Sequence, residues 1–163
     1  MKPKVYIETT IPSYLVARPS RDLVTAGHQQ STHTWWKRDR NDFELFVSQF
    51  VLDECAGGDK DMARLRLDLL EDLSVLEISD EAVKLSKTLI QNGPLPKKAE
   101  TDALHIAIAA ANAMDYLLTL NMKHIANASM QRAIHGICRK AGFDPPVICT
   151  PDELLGEEYY VEG

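Results

Sequence analysis

The sequence predicts a three-layer α/β/α sandwich built on a short, mainly parallel sheet. Short apolar segments alternate along the chain with longer segments of helical character, and the apolar segments show little alternation of polar and apolar residues. Strands of that kind are buried on both faces, which is typical of parallel sheets covered by helices. A length of 163 residues suits one domain. We place that domain at residues 1–150 and assign residues 151–163 to an acidic C-terminal tail.

The first half of the chain supplies three predicted strands. Residues 5–7 and 43–47 are short runs of β-branched, aromatic and apolar residues, and residues 74–78 alternate toward a strand. Ser20 and Ser48 are predicted N-caps of the helices that follow them, because a serine hydroxyl accepts a hydrogen bond from an unpaired N–H of the first turn. The helices predicted in this half cover residues 19–40, 49–56 and 61–73.

The second half repeats the pattern with two more strands, at residues 116–119 and 147–149. Residues 93–96 hold one glycine and two prolines and are predicted to be a loop. The helix that follows this loop is rich in alanine, the best helix former. The helices predicted in this half cover residues 79–90, 97–114 and 122–136.

Charge, cysteine content and hydropathy exclude several classes of protein. There are 18 Lys and Arg against 24 Asp and Glu, a net charge of −6, so the chain does not coat nucleic acid by bulk charge. Binding of a nucleic acid would need a local source of positive charge, such as a bound metal. Cys55, Cys138 and Cys149 show no CxxC spacing and are interpreted as buried, reduced thiols. Apolar stretches are too short for a signal sequence or a membrane span, so we expect a cytoplasmic, soluble protein.

Four polar positions are candidates for a metal site. Glu8 follows the first predicted strand and Asn121 follows the fourth, and ligands of open α/β sheets bind at the carboxyl ends of strands. Glu54 lies in the helix after Ser48, and Asp102 lies near the start of the alanine-rich helix. If the four converge, three carboxylates and one amide form a cup that suits Mg²⁺ or Mn²⁺. Taken singly, each acid is more commonly solvated or a complement to a helix dipole.

Four ordered segments carry a resemblance to a known family. They read VYIETTIPSYL (5–15), SQFVLDE (48–54), TDALHIA (101–107) and DYLLTLNMKHI (115–125). In this order they resemble the successive motifs of PIN-domain nucleases, a family that includes the VapC-like toxins of bacterial toxin–antitoxin pairs. The resemblance runs from about residue 4 to residue 150 and implies the PIN-like form of the α/β/α fold.

The resemblance also implies roles for five residues. Glu8, Glu54 and Asp102 match the family's acids, and Thr10 fills a hydroxyl position that follows the first acid. Asn121 stands where many members have a fourth acid. The expectation is a Mg²⁺ or Mn²⁺ site held by Glu8, Glu54, Asp102 and Asn121, with one metal favoured over two. Glu8 departs from the usual Asp by one methylene, which matters because Mg²⁺ tolerates little deviation from octahedral geometry.

The function implied by the resemblance is hydrolysis of RNA to leave 5′-phosphate ends, in a toxin held inactive by a small antitoxin protein. A homodimer is also expected. Two alternatives stay open: a catalytically degenerate PIN-like module that binds RNA or protein, and a metal-dependent phosphohydrolase that acts on a small nucleotide. Local phosphate contacts would come from basic residues, the candidates being Arg18, Arg21, Lys37, Arg38, Arg40, Lys97, Lys98 and Lys123.

Histidines and tryptophans are weaker candidates. His105 lies three residues after Asp102, on the same helix face, and is interpreted mainly as a packed or capping histidine. His124 is a lesser candidate for a phosphate contact. Trp35 and Trp36 lead us to expect that the segment at 19–40 packs against a partner or a second copy.

Overall fold

The computed structural model describes residues 1–156 and confirms the predicted α/β class. Its five strands form one sheet in the order β3-β2-β1-β4-β5, and every neighbouring pair is parallel. The central strand β1 is flanked on both sides, and three of its four residues have no exposed surface. The strands are β1 (Lys4–Ile7), β2 (Glu44–Ser48), β3 (Ser74–Leu76), β4 (Tyr116–Leu118) and β5 (Val147–Cys149).

Helices fill the connections between the strands. The α-helices are α1 (Thr10–Val16), α2 (Leu23–Thr34), α3 (Gln49–Cys55), α4 (Lys60–Leu70), α5 (Asp80–Gln91), α6 (Glu100–Ala111) and α7 (Ala128–Lys140). A π-helix follows α2 directly. That π-helix and the 3₁₀ turns span Trp35–Asp39, Arg40–Asp42, Lys97–Ala99 and Pro151–Leu154.

The order of the strands explains the three layers. From β1 the chain moves outward through β2 to β3, then returns past β1 to β4 and β5. Because crossovers between parallel strands are right-handed, a reversal of direction places the later helices on the opposite face. The packing agrees: α1 contacts α2 and α4, whereas α5 contacts α6 and α7. The reversal point lies between β1 and β4, which is where open α/β sheets bind ligands.

The structure corrects the predicted starts of two helices, and the side chains that cap them explain both corrections. Helix α2 is capped by the side chain of Asp22, not by Ser20, because Asp22 accepts the Thr25 N–H. The helix predicted to start at residue 122 begins at Ala128, because Asn127 caps it and residues 122–125 form a turn. Ser48 caps α3 as predicted.

The two tryptophans pack inside this chain. Trp35 has no exposed surface and Trp36 is 9% exposed, and Trp35 contacts Phe43 with ring centroids 5.7 Å apart. Both indoles therefore belong to the core of this chain, which their large apolar area favours. The expectation that residues 19–40 pack against a partner or a second copy stays a prediction.

The cysteine prediction is confirmed, and the C-terminal segment is ordered beyond the predicted domain end. Cys55, Cys138 and Cys149 are buried and free, and burial raises the pKa of the Cys55 thiol to about 11. Leu155 packs into the core behind the last 3₁₀ turn. Residues 157–163 of the predicted tail lie outside the described residues. Within residues 1–156, no helix has the length and apolar character needed to cross a membrane.

Candidate active site at the carboxyl edge of the sheet

Glu8 is the most deeply buried of the predicted site residues, at 4% exposed. It follows β1 directly, and its N–H donates to the Leu118 carbonyl, which extends the pairing with β4. The carboxylate atom Oε1 accepts hydrogen bonds from the hydroxyls of Thr10 and Thr119, each at 2.5 Å. The Thr10 N–H donates to Oε2 at 3.2 Å. These bonds satisfy a charge whose burial is otherwise costly.

Thr10 also joins the ends of the two central strands. Its Oγ1 donates to Glu8 and accepts the Leu120 N–H at 2.8 Å. The hydroxyl predicted at this position therefore holds the loop after β4 against the loop after β1. Thr119 has a matching role, because its Oγ1 accepts the Asn121 N–H at 3.0 Å.

Glu54 lies near the end of α3 and is bound from two sides. The Thr9 hydroxyl donates to Glu54 Oε1 at 2.6 Å, and His105 Nε2 lies 2.7 Å from the same oxygen. Burial raises the pKa of Glu54, but the hydrogen bonds from His105 and Thr9 outweigh it and hold the pKa below its ordinary value. Glu54 is therefore a carboxylate at neutral pH.

Asp102 is held by the turn that follows β4. Asn121 Nδ2 donates to Asp102 Oδ1 at 2.8 Å, and His124 Nδ1 lies 2.8 Å from Asp102 Oδ2. The Asn121 side chain in turn accepts the His124 N–H at 3.2 Å through its Oδ1. The amide thus contacts the carboxylate through its nitrogen, so its oxygen is directed to the backbone of the turn.

The predicted residues form two hydrogen-bonded clusters at the carboxyl edge of the sheet, which together we call the network. One cluster runs from Glu8 to Asp102 and the other surrounds Glu54, and they adjoin where Thr9 follows Glu8 in the sequence. We divide the network into two halves. We call Glu8, Glu54 and the hydroxyls and His105 that bind them the inner half. We call Asp102, Asn121 and His124 the outer half. Thr119 connects the halves, because its hydroxyl donates to Glu8 and accepts the Asn121 N–H.

The network has oxygen donors of the type Mg²⁺ and Mn²⁺ prefer. Among residues 1–156, however, no three side chains of His, Cys, Asp or Glu are grouped closely enough to hold one metal ion together. The three carboxylates are thus not a ready-made ligand set in this arrangement. Mg²⁺ usually keeps several waters and takes only one or two protein carboxylates together with substrate phosphate. The donor chemistry fits an open site of that kind, and the metal stays a prediction.

Sequence reasoning missed four residues at the site, to which it assigned no role there: Thr9, Thr119, Tyr6 and Ser48. Thr9 binds Glu54, Thr119 binds Glu8, and Tyr6 binds both Ser48 and His105. A tyrosine in the middle of a fully buried strand was the available signal, because a buried phenol needs a hydrogen-bond partner. His105 was interpreted mainly as a packed residue, and it both packs and binds Glu54.

The basic candidates have different surroundings. The Arg38 guanidinium pairs with Asp39, with Nε 2.9 Å from Oδ1, and Arg40 lies over the Trp36 ring at 4.2 Å. Lys123 lies in the same turn as Asn121 and His124. Of these three, Lys123 is the one that the chain places beside the network.

The fold and the site together define an α/β protein with a carboxylate-containing site at the carboxyl edge of a parallel sheet. A chain of VapBC2 from Rickettsia felis, solved bound to a DNA fragment from the promoter, matches with a TM-score of 0.58 and 16% identity. The match covers 90% of this chain and 98% of that one. A toxin–antitoxin complex from Klebsiella pneumoniae matches with a TM-score of 0.53 and 21% identity, over 76% of this chain and 92% of that one.

These likenesses confirm the predicted fold, since they extend over most of each chain. The resemblance to VapC-like toxins is confirmed at the level of the fold. No protein-family model matches the sequence, and no curated protein matches it.

Proposed function

We propose that this chain is a divalent-metal-dependent endoribonuclease and the toxin component of a toxin–antitoxin pair. One observation carries the proposal: residues from four separate motifs meet in two adjoining hydrogen-bonded clusters at the carboxyl edge of the sheet. Glu8, Thr10, Asp102 and Asn121 belong to one cluster, and Glu54 belongs to the other. A chance collection of surface acids would not be joined in this way.

The chain's own residues have distinct tasks in this proposal. Glu54 and Asp102 are the more accessible carboxylates, with side chains 31% and 17% exposed, and would hold the cation with Glu8 and Asn121. Thr10 holds Glu8 in place and closes the loop after β4 onto it. Lys123 is positioned to contact a phosphate of the RNA. Mg²⁺ or Mn²⁺, when bound, supplies an acidified water and stabilises charge on the phosphodiester.

The partners that we propose for this chain follow from the proposed toxin role. The similar structure from Klebsiella pneumoniae is described as a toxin–antitoxin complex, and the one from Rickettsia felis as VapBC2 bound to a DNA fragment from the promoter. We therefore extend the proposal to a small antitoxin protein that inhibits this chain, to a homodimer, and to action on RNA in the cytoplasm. Co-purification of this chain with the product of an adjacent gene, and loss of activity in that complex, would support the first of these.

The decisive experiment is cleavage of a mixed RNA pool by purified protein in Mn²⁺, in Mg²⁺ and in chelator. Asp102→Asn keeps the shape of the side chain but removes its charge, and it should abolish the cutting while leaving the fold unchanged by circular dichroism. Asp68→Asn is the matched control, because Asp68 is exposed on α4 and lies outside the network. Equal cutting by wild type and Asp102→Asn would reveal a contaminating nuclease and contradict the proposal.

One observation favours a second candidate, a degenerate module that binds RNA or protein without cutting. Every predicted carboxylate already accepts hydrogen bonds from side chains, and Glu8 is almost fully enclosed. A folded, inhibitor-free sample that binds RNA with equal affinity in Mn²⁺ and in chelator, and cuts in neither, would establish this alternative.

A further inference from the structure

Three polar side chains lie in the core behind Glu54. Tyr6 and Ser48 have no exposed surface, and His105 is 1% exposed. The Tyr6 hydroxyl lies 2.9 Å from Ser48 Oγ and 2.8 Å from His105 Nδ1. Burying polar groups is costly even when they are bonded to each other, and apolar residues of the same shape would serve the core as well. A buried polar chain of this kind therefore needs a reason beyond packing.

The donor and the acceptor of each hydrogen bond follow from the Glu54 carboxylate at the end of the series. A carboxylate only accepts, so His105 Nε2 carries the hydrogen that binds Glu54 Oε1. In the neutral ring Nδ1 is then an acceptor, so the Tyr6 hydroxyl donates to it, and the Ser48 hydroxyl donates to Tyr6. Both hydroxyls and both ring nitrogens therefore take part in hydrogen bonds, and each hydrogen in the series is directed toward Glu54.

The hydrogen-bonded series from Ser48 through Tyr6 to His105 also fixes the helix that carries Glu54. Ser48 Oγ accepts the Val51 N–H and so caps α3, whose sixth residue is Glu54. Phe50, from the first turn of α3, lies against the His105 ring with centroids 4.8 Å apart. The backbone of α3 and the side chain of Glu54 are therefore tied to the same strand and the same histidine.

The two carboxylate oxygens of Glu54 are left in different states. Oε1 accepts from both Thr9 and His105, whereas Oε2 has no hydrogen-bond partner among residues 1–156. The side chain is 31% exposed, so a ligand can reach it. Holding Oε1 leaves Oε2 as the atom that is available to a cation.

We propose that Tyr6 and His105 are positioning residues for Glu54. The Tyr6 hydroxyl donates to Nδ1 of His105 and so holds the ring in place, and the hydrogen on Nε2 fixes Glu54 Oε1 so that Oε2 is presented to the metal. The inference rests on the proposed function where it calls Glu54 a metal ligand. The fixing of the carboxylate by the buried chain stands without it.

The first test measures the ring form directly by ¹⁵N NMR of the histidine side chains at neutral pH, without metal. In the wild type, His105 should have its hydrogen on Nε2 alone. Tyr6→Phe should shift the Nδ1 resonance of His105, because that nitrogen loses the hydrogen bond that it accepts, whereas Tyr116→Phe should not change the spectrum of His105. Tyr116 is the matched control, because it lies in β4 beside β1 and its hydroxyl has no hydrogen bond within the described residues. A hydrogen on Nδ1 in the wild type, or an unchanged His105 in Tyr6→Phe, would overturn the proposal.

The second test measures Mn²⁺ binding by calorimetry in the absence of RNA. Removing a group that orients a metal ligand typically weakens metal binding by about 10–100-fold, and Tyr6→Phe should fall in that range. Tyr116→Phe should bind as the wild type does. Unchanged affinity in Tyr6→Phe would contradict the positioning role. A wild type that binds no Mn²⁺ would overturn the proposed metal site, and the NMR measurement on His105 would then test the positioning of Glu54 by itself.

A second pair of variants covers the case in which Tyr6→Phe does not fold. The amide of His105→Gln can donate toward Glu54 as Nε2 does, whereas His105→Leu fills space but cannot donate. Mn²⁺ affinity should be retained within about threefold in His105→Gln and reduced about 10–100-fold in His105→Leu. Equal affinities in the two variants would contradict the role of the donated hydrogen.

Discussion

The two halves of the site pair a histidine with a carboxylate in opposite surroundings. In the inner half, His105 is 1% exposed and both of its ring nitrogens are bound, so the core sets its position. In the outer half, His124 is 13% exposed and Asp102 is 17% exposed, and they meet where the turn between β4 and α7 contacts the first turn of α6. The inner histidine is therefore the more firmly enclosed of the two, and we expect the outer half to adjust more readily when a ligand binds.

The largest effect expected from this difference is on stability. His105→Ala removes a buried ring that packs on Phe50 and leaves the Tyr6 hydroxyl without its acceptor, so we expect a loss of about 2–4 kcal/mol in the free energy of unfolding. His124→Ala removes a partly exposed pair and should cost less than about 1 kcal/mol. Urea unfolding of both variants measures the difference, and equal losses would mean that the halves are not distinct.

A second prediction concerns the first acid, Glu8. Glu8→Asp shortens the side chain and withdraws its carboxylate from the hydroxyls of Thr10 and Thr119, both of which bind Oε1 at 2.5 Å. The variant should be less stable by about 1–3 kcal/mol, because a buried charge then lacks hydrogen bonds. Urea unfolding measures this loss. A variant as stable as the wild type would show that the loops close around the shorter acid, and that the extra methylene has no structural role.

The sequence predicts the fold well because the signals for it are local. Short apolar runs such as residues 5–7 predict buried parallel strands, and the helices between them predict layers on the faces of the sheet. The boundaries that were wrong depended on which of two nearby polar side chains caps a helix. Ser20 and Asp22 are both good caps, and only the path of the chain decides between them.

The site is less predictable because its geometry depends on contacts between distant residues. The motif resemblance selects Glu8, Glu54 and Asp102 as residues of one site. The partner of each acid is not local: His105 lies 51 residues from Glu54 in the sequence. A buried phenol such as that of Tyr6 is expected to have a hydrogen-bond partner, but nothing in the sequence shows which residue that partner is.

A third prediction adds charge to the outer half. Asn121→Asp places a second carboxylate where the amide now donates to Asp102 at 2.8 Å. Without metal the two charges repel, and a loss of about 1 kcal/mol lowers Tm by about 2–4 °C. With Mn²⁺ the added charge becomes a ligand, so the variant should gain more in Tm from the metal than the wild type does. Thermal unfolding with Mn²⁺ and with chelator measures both changes.

Asn127→Asp is the control for this experiment, because Asn127 also lies in the segment after β4 but caps α7 by accepting the Ser129 N–H. Its response to Mn²⁺ should equal that of the wild type. If the Tm of Asn121→Asp also changes with Mn²⁺ as that of the wild type does, the outer half does not bind the metal.

The smallest expected effect is the dependence of stability on pH that comes from Glu54. Its pKa in the folded protein is lower than its ordinary value of 4.5, despite burial, because His105 and Thr9 donate to it. A lowered pKa means that ionised Glu54 stabilises the fold above pH 4.5, and that this contribution is lost as the pH falls through the folded value. Glu54→Gln has no such proton to bind, so its stability should fall less steeply than that of the wild type below pH 4.5. Glu71→Gln, on the exposed end of α4, should follow the wild type. Thermal unfolding across this pH range tests the expectation, and parallel curves for wild type and Glu54→Gln would mean that the inner half holds its carboxylate no more firmly than water does.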